Sequence, residues 1–128
     1  MNLENILKVG MKNEREFTVS YEDTAEYIGN PGVKMLSTPA MMKYMELTSG
    51  DIVFPHLPKT HNPVGTMVCI KHLASTPVDA RVLVKSTLSE IDRKRLTFQV
   101  EAYYGEILVG SGSYEQFIVE LEKFMKKQ

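Results

Sequence analysis

The sequence predicts an α+β domain in which a curved antiparallel sheet wraps one central helix, and three features carry that expectation. A methionine-rich segment from Leu36 to Ser49 spreads apolar side chains around most of a helix. Stretches alternating with period two follow one another from Val64 to Phe117. Turn-forming residues sit between those stretches.

In chain order, "EREFTVS" (residues 14–20) sets Phe17 and Val19 against polar neighbours, as a half-buried strand requires. The cluster "YIGNPG" then breaks the pattern as a turn. Ser37 or Thr38 can cap the helix that follows, Pro39 suits its first turn, and Gly50 is expected to stop it. Met41, Met42, Tyr44 and Met45 give that helix more than one apolar face, so other structure should surround it. "VGTMVCIKHLA" opens the run of strands. "ARVLVKSTLSEI" follows, then "RLTFQVEAYY" after a turn at Asp92-Arg93-Lys94, then "EILVGSGSYEQFIV" after Gly105. Gly110 and Gly112 in the last strand suggest a bend or a close backbone approach. A short amphipathic helix, "ELEKFMKK", ends the pattern. A meander of long strands around one buried helix is the outline of a hot-dog fold.

Length and charge narrow the classes of function. The 128 residues, 43% hydrophobic, suit one hot-dog domain over 1–128, since a chain of this size buries roughly two thirds of its unfolded surface. With a net charge of -1 and scattered Lys and Arg, nucleic acid is not an expected partner. No stretch approaches the ~18 consecutive apolar residues of a membrane span. The single cysteine, Cys69, cannot form an internal disulfide, and "MNLENILKVG" has no signal-peptide pattern, so a cytoplasmic setting is expected. Cys69 lies in an apolar run and reads as a buried structural thiol. Three histidines without close His, Cys or Asp spacing do not predict a metal site. His56 and His61 read as loop residues in "FPHLPKTHNP".

Two stretches, "LSTPAMMKYME" and "VGTMVCIKHLASTP", together resemble the hot-dog thioesterases of the fluoroacetyl-CoA thioesterase type, and the likeness runs through most of the chain from about Val33 onward. The resemblance implies a catalytic set of Thr38, Glu46 and His72, with Gly65 placing the thioester. It also implies an acyl-CoA substrate, no cofactor beyond the coenzyme A of that substrate, and a homodimer with acyl-CoA sites at its interface. It gives a reason for one carboxylate within an apolar helix, because a base or nucleophile works best where water is excluded.

Each residue also has an ordinary reading. Thr38 can be a helix cap, Glu46 an exposed residue near the helix end, His72 a satisfied core or surface histidine, and the methionines plain core. Lys71 and Arg81 suit a solvated strand face as well as a CoA contact. Geometry adds a constraint: Thr38 and Glu46 are separated by a rise of roughly 12 Å if both lie on one regular helix. Either Thr38 precedes the helix, or the two act through water and substrate, or a second subunit contributes. The expected reaction is hydrolysis of a short or small acyl-CoA, with Thr38 either attacking or orienting water. A non-catalytic acyl-CoA or hydrophobic-ligand module, and a hot-dog hydratase or dehydratase, are the competing readings. The acyl group is left open, because the chain diverges in "EDTAEYIGNPGVKM" ahead of Thr38.

Overall fold

The alternating stretches become five strands: β1 (Lys12–Thr18), β2 (His61–His72), β3 (Arg81–Asp92), β4 (Arg95–Tyr104) and β5 (Ile107–Glu120). The structure is a computed structural model that describes residues 1–127. All strand pairs are antiparallel, and the spatial order is β1-β3-β4-β5-β2. β2 therefore forms one edge. Register shifts at Gly65/Met67, Leu88/Glu90 and Ala102/Tyr103 interrupt the ladders, and such bulges bend strands and increase their twist.

The long helix α1 (Thr38–Val53) packs against the sheet. Period two delivers Val82, Val84, Leu88, Leu96, Phe98 and Val100 to the inner face, each no more than 1% exposed. From α1, Met41, Tyr44 and Met45 enter the same core. Met41 and Met45 are thus core residues, while Met67 is exposed on β2. Gly110 and Gly112 do mark close approach: a Cβ at Gly110 would collide with Met41, and one at Gly112 with the Cys69 and Ile70 backbone.

Three local expectations need correction. Gly50 does not end α1, which continues to Val53 before a 3-10 turn, Phe54–His56, that contains Pro55. A single glycine costs a helix interior only about 1 kcal/mol, and burial of Ile52 and Val53 outweighs it. His61 is the first residue of β2 rather than a loop residue. Cys69 is exposed, because it occupies the outer-face phase of β2 along with Met67 and Lys71. The terminal helix α2 (Leu121–Lys126) forms as expected.

The connector from β1 to α1 determines where the helix begins. Ser37 N–H donates to the Asp23 carbonyl at 2.8 Å, and Leu36 N–H donates to the Thr76 carbonyl at 2.8 Å. The Asp23 carboxylate in turn accepts from Tyr44 Oη at 2.5 Å and Lys43 Nζ at 3.0 Å. Burial works to raise the Asp23 pKa, but these donors outweigh it and the net direction is downward. Burial, reinforced by Asp23, keeps the Tyr44 phenol protonated. The start of α1 is thereby fixed to the loop that follows β2.

Candidate active site

Ser37 is the helix cap: its hydroxyl accepts from Ala40 N–H at 3.1 Å. Thr38 is the first helical residue, with Pro39 after it, so the Thr38 hydroxyl is not needed for capping. It lies 2.8 Å from Nδ1 of His72, at the end of β2. The Leu36–Thr76 hydrogen bond explains this meeting, since it holds the residues before Thr38 against the loop leaving His72.

His72 is half-buried. Burial lowers its pKa below the ordinary imidazole value, against an opposing pull from the Ala74 backbone. Its Nε2 is shielded from solvent and has no partner among the described residues. A neutral imidazole that accepts from Thr38 Oγ1 at Nδ1 carries its own proton on Nε2. This pair can therefore withdraw a proton from a hydroxyl and return one to a leaving group.

Glu46 lies two helical turns further on, and it is exposed in the single chain rather than sheltered as its place in an apolar helix suggested. The helix buries Met41, Tyr44 and Met45, and position 46 falls on a different face. Its Oε2 accepts from Tyr114 Oη at 3.0 Å. Gly65 adjoins this pair: a Cβ there would stand 2.7 Å from Glu46 Oε2 and 3.1 Å from Tyr114 Oη. Only glycine leaves room for the carboxylate in this position.

The four residues thus form two pairs, Thr38 with His72 and Glu46 with Gly65. Because Thr38 and Glu46 both belong to α1, their axial separation is roughly 12 Å, and the possibility that Thr38 precedes the helix is removed. The partner that sequence reasoning missed is Tyr114. Its strand was legible, but its opposition to Glu46 depends on how β5 meets β2 and α1. Arg81 pairs with Glu16 at 3.6 Å, as a solvated strand face would have it.

The family model described as fluoroacetyl-CoA-specific thioesterase (FlK) matches residues 19–122. The fluoroacetyl-CoA thioesterase of Streptantibioticus cattleyicolor is 30% identical, over 94% of this chain and 91% of that protein. A threonine-to-serine variant of FlK in complex with acetyl-CoA superposes with a TM-score of 0.88 at 28% identity, covering 94% of this chain and 96% of that one. A hot-dog-like protein from Thermanaerovibrio acidaminovorans, 21% identical, gives a TM-score of 0.91 over 99% of this chain and 94% of its own, which supports the fold alone. With its fold, its Thr38–His72 pair and these matches together, the chain belongs to the fluoroacetyl-CoA-specific thioesterase family of hot-dog proteins.

Proposed function

We propose that the protein hydrolyses a short or small acyl-CoA to the free acid and coenzyme A, in a homodimer whose two sites each draw on both subunits. The observation that carries the catalytic reading is the Thr38 Oγ1 to His72 Nδ1 contact of 2.8 Å. The Thr38 oxygen attacks the thioester carbonyl while His72 takes its proton. The C–S bond then breaks, and the imidazolium returns the proton to the departing CoA thiolate. The Glu46 carboxylate takes a proton from water as the water oxygen attacks the acyl ester; the C–O bond to Thr38 breaks, the acid leaves, and the proton held by Glu46 returns to the Thr38 oxygen. The N-terminus of α1, where Thr38 sits, favours the negative charge that develops on the carbonyl oxygen.

An exposed edge strand and a permissible dimer register support the shared site. First, β2 is an edge strand of twelve residues whose Met67 is 43% exposed and whose Cys69 is also exposed, a surface that an isolated chain would leave open to pairing. Second, pairing β2 with its own two-fold copy about Cys69 sets Ile70 opposite Val68, keeping inner-face positions together. Across the irregularity at Thr66, the same register brings His72 beside Gly65 of the partner subunit. Because Glu46 adjoins Gly65 and Thr38 adjoins His72, this register brings Glu46 of one chain toward Thr38 of the other, so their separation along α1 is no obstacle to a shared site.

Free-thiol release from a panel of acetyl-, fluoroacetyl-, propionyl- and butyryl-CoA tests this function. Turnover by the wild type, reduced at least 100-fold in folded Thr38→Ala, Glu46→Ala and His72→Ala variants, supports it. Binding of CoA esters without turnover would identify a binding module instead. Hydration of an unsaturated acyl chain without thiol release would identify a hydratase.

A further inference from the structure

Gln116 lies on the inner face of β5 and is 1% exposed. Its Nε2 donates to Tyr114 Oη at 3.2 Å, while its Oε1 is buried with no partner among the described residues. Leaving an amide oxygen unpaired in a core costs stability, and a leucine or methionine would fill the same volume without that cost. Something other than packing must account for an amide here.

The hydrogen-bond directions supply a reason. An ionised Glu46 can only accept, so the contact at 3.0 Å requires Tyr114 to donate its single proton to Oε2. The Tyr114 oxygen can then only accept from Gln116, so the amide must present its NH2 group and leave its carbonyl oxygen unpaired. The orphaned Oε1 is a consequence of aiming the tyrosine proton at Glu46. Tyr114 is itself 2% exposed and is stacked on Phe98 at a centroid distance of 5.9 Å, so its ring is held in place. Burial keeps the phenol protonated, with the Glu46 charge acting in the same direction and the Gln116 bond against it.

We propose that Tyr114 and Gln116 are positioning residues for Glu46: Gln116 orients the Tyr114 hydroxyl, and Tyr114 fixes Oε2 so that Oε1 is presented to water. Gly65, where a Cβ would collide with Oε2 and crowd Tyr114 Oη, leaves the space in which the two meet. The inference rests on the catalytic role of Glu46 given above.

A double-mutant cycle separates positioning from mere packing. Tyr114→Phe, which keeps the ring and its stacking, is expected to lower kcat about tenfold with KM changed less than twofold. In a Glu46→Gln background, followed by single-turnover kinetics with enzyme in excess, the same change is expected to alter the rate less than twofold. Gln116→Met, a second variant that preserves volume, is expected to lower kcat at least threefold without lowering the melting temperature. An equal loss in both backgrounds, or a Tyr114→Phe kcat within twofold of wild type, would overturn the inference while leaving the role of Glu46 intact. A fully active Glu46→Gln would instead remove the reading beneath it.

Discussion

The Thr38 hydroxyl and Nδ1 of His72 lie 2.8 Å apart, although one residue opens a helix and the other ends a strand. The Thr38 hydroxyl is available for that contact because the adjacent Ser37 does the capping. Under the proposed mechanism two neighbouring hydroxyls have separate tasks, one conformational and one chemical.

This division predicts opposite phenotypes for neighbouring substitutions. Ser37→Ala should lower stability by about 1 kcal/mol, the usual contribution of a lost cap, with a measurable residual activity. Thr38→Ala should change stability by less than half of that and reduce kcat at least 100-fold. Urea denaturation and thiol release, measured on both variants, check the contrast.

Gly65→Ala should be a catalytic lesion more than a folding one. The added Cβ meets the end of the Glu46 side chain, which can swing away at little cost. The displaced carboxylate then no longer faces its water. A fall in kcat of at least tenfold is expected, with a melting temperature within a few degrees of wild type, as read by thiol release and thermal unfolding.

The state of His72 predicts the acid limb of the pH profile. Only the neutral ring can take the Thr38 proton, and burial lowers the His72 pKa. The limb of kcat/KM should therefore lie below the ordinary imidazole value of ~6.5, with activity lost as pH falls through it. The sign for stability follows: between the folded and unfolded values the unfolded chain holds more protons, so the His72 contribution weakens as pH falls through that window. A pH-rate profile together with His72→Asn stability measured over the same range checks both signs.

The proposed β2 register places the two Cys69 residues of a dimer opposite each other. A short bismaleimide should join wild-type subunits into a covalent dimer on a denaturing gel. Cys69→Ser should abolish the product. A wild type that stays uncrosslinked while its Cys69 is fully alkylated by a monofunctional maleimide would contradict this register.

Much of the architecture is legible in the amino-acid sequence. β3 as far as Leu88 and β4 as far as Ala102 alternate strictly, so those residues can be assigned to faces from sequence alone. The motif positions Thr38, Glu46, His72 and Gly65 are readable for a different reason, their likeness to a known family. What escapes sequence reasoning depends on neighbours that no single stretch contains. Cys69 looks buried by its apolar context, yet its phase on an edge strand turns it outward. Glu46 looks sheltered by the helix around it, yet in the single chain it is exposed, on a different face from the buried Met41, Tyr44 and Met45. Tyr114 and Asp23 carry no signal of their own, since each matters through a side chain that the fold brings to it.

The most direct measurement mixes two inactive variants. Thr38→Ala and Glu46→Ala subunits are unfolded together, refolded as a mixture and assayed for acyl-CoA hydrolysis. If each site combines Thr38 of one subunit with Glu46 of the other, half of the dimers are mixed and each mixed dimer has one intact site. The mixture should then recover about one quarter of wild-type activity, although each variant refolded alone stays inactive. A mixture that forms mixed dimers yet remains as inactive as its parents would contradict the shared site.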